Sequence, residues 1–83
     1  NRTVWFEERE KRILMIPSIL KSKILLGLTK VEILNLLGFE FNDINSNTWS
    51  YYIGKNKFII PFKFFLYIYF DRFGMVDNAI KKK

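Results

Sequence analysis

Eight carboxylates, Glu7, Glu8, Glu10, Glu32, Glu40, Asp43, Asp71 and Asp77, are the groups in this chain that could move protons or hold a cation. An acid and a base working as a pair need a shared cleft and neighbours that drive their pKa values apart. The spacing argues for structural roles instead. Glu7, Glu8 and Glu10 stand among basic partners on one helix, Glu32 is placed to cap another, and Asp71 opens a turn that its own carboxyl can brace. Asp43 lies among Asn42, Asn45 and Asn47, an oxygen-rich group, but the alternating acids and closing Glu of a standard calcium loop are missing. Ser18, Ser22, Ser46 and Ser50 have no histidine to activate them, since the sequence contains none, and there is no cysteine. No Gly-rich phosphate loop occurs. We therefore expect no enzyme, no cofactor, no metal and no small-molecule substrate.

The remaining chemistry is that of contact surfaces. Nine Phe, four Tyr and two Trp occur in 83 residues, and each large ring can bury roughly 150–250 Å². The formal net charge is +6. Such a balance suits an anionic membrane surface or nucleic acid, although it also serves plain solubility. Lys55-Asn56-Lys57 beside aromatic strands fits single-strand nucleic-acid binding, which stacks bases on rings along a cationic groove. The basic residues are scattered along the sequence rather than focused, which favours a protein partner, a second copy of this chain included.

These side chains need elements to hold them. Val4 to Ile24 reads as helix, with Glu7/Lys11 and Glu8/Arg12 as i,i+4 pairs and Trp5, Phe6, Ile13, Ile16, Leu20 and Ile24 as an inward stripe. Pro17 kinks or breaks it, or starts a new turn. Thr29 and Glu32 form a capping box for a second helix, Lys30–Leu37, closed by Gly38. Val31, Ile33, Leu34, Leu36 and Leu37 give that helix its apolar side. Residues 39–47 carry the Asn, Asp and Ser of a loop. Trp49–Ile53 is a strand, Lys55–Lys57 a turn, and Pro61 confines the next stretch to a loop or edge as far as Phe62. Lys63–Phe70 is a firm strand, Asp71–Gly74 a hairpin, Met75–Ile80 the last strand, and Lys81–Lys83 a frayed tail.

Segregated helices followed by a meander imply one α+β domain over residues 1–83, with two N-terminal helices packed on one face of a three-stranded antiparallel sheet, ααβββ. Alternation in the central strand puts Phe64, Leu66, Ile68 and Phe70 on the helix side. Lys63, Phe65, Tyr67 and Tyr69 fall on the other. This second row is our candidate protein-binding site, with Lys63 as rim charge, because rows of exposed rings anchor interfaces. A register offset by one residue, or a longer parent chain lying over the row, would bury it instead. The apolar run Ile13–Leu28 is interrupted by Pro17, Lys21 and Lys23, and is too short and broken for a membrane span. The chain begins at Asn1, so we expect a processed product from which any leader has gone.

Three motifs in order span about two thirds of the chain: Gly27-Leu28-Thr29-Lys30-Val31-Glu32-Ile33-Leu34-Asn35-Leu36-Leu37-Gly38, then Thr48-Trp49-Ser50-Tyr51-Tyr52-Ile53-Gly54, then Leu66-Tyr67-Ile68-Tyr69-Phe70-Asp71-Arg72-Phe73-Gly74-Met75-Val76. This succession resembles the SmpA/OmlA family, the BamE-like small outer-membrane lipoproteins, whose fold is shared with the repeats of β-lactamase inhibitor protein. Phe39 stands where the family often has Pro, no lipid-acceptor Cys is present, and the longer first helix with Trp5 and Arg12 differs from the barrel-assembly subunit itself. The resemblance implies a non-enzymatic protein-binding or scaffolding domain of the bacterial cell envelope, in the periplasm or at the outer membrane, linked to outer-membrane assembly or maintenance. It also implies an alternative, an inhibitor-like module that blocks an enzyme through its sheet face. A basic single-strand nucleic-acid-binding domain ranks behind both.

Overall fold

Thr29 and Glu32 close the capping box that the sequence implies. The Glu32 amide donates to the Thr29 hydroxyl at 3.2 Å, and the Thr29 amide donates to the Glu32 carboxylate at 2.9 Å. Around this helix the computed structural model describes residues 2–55 and 62–83. The elements are α1 (Arg2–Glu7), a 3-10 helix (Arg9–Leu14), α2 (Ile16–Ser22), α3 (Lys30–Leu37), β1 (Thr48–Lys55), β2 (Lys63–Phe70) and β3 (Val76–Lys82). The strands form one antiparallel sheet in the order β1-β2-β3. The α+β arrangement of helices followed by a meander is therefore present.

The N-terminal segment is broken at Pro17, as expected, and is interrupted once more than expected. It breaks at Glu8, where the backbone turns to φ −127° and ψ 70°, and again at Met15, after which Pro17 sits in the first turn of α2. Pro17 starts a helix because its missing N–H is not needed there. With the helix interrupted, Glu8 pairs with Lys11 at 2.9 Å and not with Arg12. The inward stripe is also shorter than expected. Trp5 and Ile16 are buried and Ile13 and Leu20 half-buried, but Phe6 and Ile24 are exposed. On α3, Ile33 and Leu37 face the core while Val31 and Leu36 face solvent.

The core joins Trp5, Ile16, Leu25, Ile33 and Leu37 to alternate positions of the sheet, Trp49, Tyr51 and Ile53 on β1, Leu66, Ile68 and Phe70 on β2, and Val76 on β3. Period-two alternation thus puts one sheet face under the helices. The rings pack edge to face, Trp49 against Phe70 at 4.7 Å and Trp5 against Tyr51 at 6.1 Å between centroids. Register is irregular at Gly54, whose φ of +137° suits glycine, and a Cβ there would come within 3.3 Å of the Glu10 carbonyl oxygen.

Asp71 braces the β2–β3 hairpin as expected, its carboxylate accepting from the amides of Phe73 and Met75. The last strand runs two residues beyond the expected end. Lys81 and Lys82 are not a frayed tail, since they pair with Leu66 and Phe65 in the ladder. Of the expected turn at residues 55–57, Lys55 ends β1 opposite Lys63, while residues 56 and 57 lie outside the described residues. So does the stretch 58–61, Pro61 included, which the sequence reading assigns to a loop or edge.

Candidate functional site

On the sheet face turned away from the core, Phe65, Tyr67 and Tyr69 of β2 stand beside Tyr52 of β1 and Ile80 of β3, all half-buried. The sheet brings together the predicted row and adds two neighbours, since Tyr52 lies directly across from Phe65 and Ile80 across from Tyr67. Ring contacts run along it: Tyr52 to Phe65 at 6.0 Å and Phe65 to Tyr67 at 6.3 Å between centroids. Lys63, the predicted rim charge, is exposed at the start of β2. Two further cations border the row. The Arg9 guanidinium lies 5.3 Å from the Tyr52 ring and the Lys82 ammonium 5.4 Å from the Tyr67 ring.

The row opens at one end into a cleft of about 430 Å³ whose lining includes Phe6, Phe39, Phe41, Ser50, Tyr52 and Phe65. A second hollow of about 350 Å³ adjoins it, lined by Arg9, Tyr52, Lys63 and Phe65. Sequence reasoning missed the group that builds this cleft. Arg12 is 1% exposed. Its Nε donates to the Trp5 carbonyl at 2.7 Å, and Nη1 donates to Glu40 Oε1 at 3.0 Å and to the Tyr52 carbonyl at 2.9 Å. Nη2 donates to Glu40 Oε2 at 2.6 Å, and the guanidinium plane sits 4.2 Å from the Trp5 ring centroid. A planar fork of donors suits this arrangement of two carboxylate oxygens and two carbonyls; an ammonium could not fill it. The signal available in the sequence was Glu40 itself, a lone acid between Phe39 and Phe41 that needs a partner once the flanking rings are placed.

The loop carrying Glu40 is bent and pinned. Glu40 and Phe41 take positive φ values of +48° and +62°, a region where side chains other than glycine are strained. Asn42 fastens the next position, its Nδ2 donating to the carbonyls of Phe39 and Ser50 and its Oδ1 accepting from the Ser50 amide. The Tyr51 hydroxyl donates to the Gly38 carbonyl at 2.8 Å, and Trp5 Nε1 to that of Leu37 at 3.0 Å. Gly38 has φ +86°, and a Cβ there would meet Phe6 Cε1 at 2.9 Å. Phe41 is left 99% exposed.

Burial holds the Tyr51 phenol well above its usual range, and the Glu40 charge adds to that. The Tyr52 phenol is raised too, chiefly because its hydroxyl donates to the Glu10 carboxylate at 2.6 Å. Neither tyrosine is set up as a base. Asp43 accepts from the Asn45 amide within its own turn, and among the described residues no cluster of acids has the arrangement of a metal site. No helix among them is long and apolar enough to cross a membrane. No family model, curated protein or solved structure matches this chain.

Proposed function

We propose that this chain is a non-enzymatic binding domain that holds another protein against the sheet face opposite its helices. The observation carrying this reading is the half-exposed row of rings on one sheet face, Tyr52, Phe65 and Tyr67 in contact and Tyr69 next along β2, bordered by Arg9, Lys63 and Lys82. Tyr and Phe supply large, stiff contact area at low entropic cost, and cations around such a patch give orientation and faster encounter. The motif succession, with its resemblance to small outer-membrane lipoproteins, supports a place in the bacterial cell envelope and a part in outer-membrane assembly or maintenance. An inhibitor that occludes an enzyme would use the same face.

The test is site-specific photocrosslinking in cells. A benzoyl-phenylalanine at position 67 or 69 gives discrete protein adducts, whereas one at the exposed helical position Val31 gives none. Equal adduct patterns from the two faces would count against the reading. Three cations bordering the rings favour single-strand nucleic acid as the second reading. In that case a fluorescent oligothymidylate binds tightly at low salt, and its affinity falls steeply as salt is added.

A further inference from the structure

We propose that the cleft at the end of the aromatic face takes an extended acidic segment of the partner protein, with Phe41 as the apolar anchor presented to it. The inference rests on the protein-binding reading above and adds the chemistry of the bound segment. Three observations carry it. First, a left-handed backbone is costly for a residue other than glycine, and Glu40 and Phe41 bear it in succession. Such strain persists only where the surroundings over-determine it. Arg12 on Glu40 and Ser50 on Asn42 do so. Their combined effect is to hold a phenyl ring 99% exposed, which does nothing for folding stability. An anchor fixed before its partner arrives loses little freedom on docking.

Second, the surface next to Phe41 is apolar. Phe39 is 54% exposed, and Tyr52 and Phe65 form the floor. Third, the charge at the mouth is unbalanced. Among the described residues Glu40 lines the cleft with both oxygens engaged by Arg12, and Glu10 holds the Tyr52 hydroxyl at its edge, while Arg9 and Lys63 line the adjoining hollow. The Arg9 side chain is 56% exposed and reaches Glu40 only at 3.7 Å, and Lys63 makes no ion pair among the described residues. A carboxylate entering where the two hollows meet has Arg9 and Lys63 beside it, both open to solvent. The net charge of +6 argues against a second copy of the chain as the occupant.

Selection of random displayed dodecapeptides on the immobilised protein tests this. The expected winners carry Asp or Glu within three positions of an aromatic or large aliphatic residue. A synthetic winner weakens at least about tenfold when its acid is changed to the amide. It weakens as much against Arg9→Glu and against Phe41→Asn, the latter chosen because Asn tolerates positive φ and should fold at least as stably by circular dichroism melting. Winners without acids, or no winners at all, overturn the proposal. Winners sensitive to a Tyr67→Ser/Tyr69→Ser variant but indifferent to Arg9→Glu and Phe41→Asn overturn it while leaving the sheet-face reading standing. Displacement of a winning peptide by oligothymidylate overturns it in favour of nucleic acid. A dimer in sedimentation equilibrium that Phe41→Asn dissolves overturns it in favour of self-association.

Discussion

Arg12 is the side chain on which the most structure converges. It ties α1 through the Trp5 carbonyl, β1 through the Tyr52 carbonyl, and the strained loop through Glu40. Removing one member of a buried ion pair leaves the other charge and several acceptors unpaired, at a cost of about 3–5 kcal/mol. Arg12→Ala should therefore lower the urea unfolding free energy by that order, and Arg12→Lys should recover only part because an ammonium cannot fork. In the sequence, Arg12 reads as one of two surface i,i+4 pairs. That inference assumed an unbroken helix, and the break at Glu8 turned the guanidinium inward. Tyr51 contributes to the alkaline pH dependence, as does the raised Tyr52 phenol. The Tyr51 pKa is raised in the folded chain, so its contribution is complete below about pH 10, where a free phenol begins to ionise, and is lost as the pH climbs further. Urea melts of the wild type should thus show stability falling above about pH 10. Tyr51→Phe should lose about 1 kcal/mol at pH 7, for the bond to Gly38, and decline less steeply in alkali.

Elements with local signals were legible, and those shaped by distant contacts were not. The limits of α3 follow from Thr29, Glu32 and Gly38, all within reach of its ends, and the observed helix has those limits. Replacing Thr29 with Ala should cost about 1 kcal/mol in chemical unfolding, while Thr29→Ser should be nearly neutral, since the hydroxyl is what caps. β2 was equally readable because Pro61 and Asp71 bracket an aromatic and β-branched run. The N-terminal half was not. Its apolar residues lack a clean 3.6 period because three short helical pieces carry them, and not one continuous helix. Lys81 and Lys82 look like tail by composition, but β2 extends far enough to pair with both.

For the molecule as a whole, the sheet divides the chain into a face packed under the helices and an aromatic face turned away from them. That division could be read from the alternation in β2 alone, because a single buried face fixes the strand register. The cleft beside it could not. It depends on Arg12, Glu40 and Asn42 meeting across separations of 28 residues for the first pair and 8 for the bonds from Asn42 to Ser50. No periodicity records encounters of that kind. Net charge was informative only in outline, since the number +6 does not say that Arg9 and Lys63 would share one mouth.

The grip of Asn42 on Ser50 has an effect unrelated to recognition. Its carboxamide accepts from the Ser50 amide and donates to the Ser50 carbonyl, the two bonds a neighbouring strand would otherwise make, and Arg12 occupies the Tyr52 carbonyl further along the same margin. An outer strand with free amides and carbonyls invites other chains to stack onto it, a route towards fibrils. Here a single planar amide imitates one residue of a fourth strand, and at Ser50 the β1 margin offers no bare template for polymerisation.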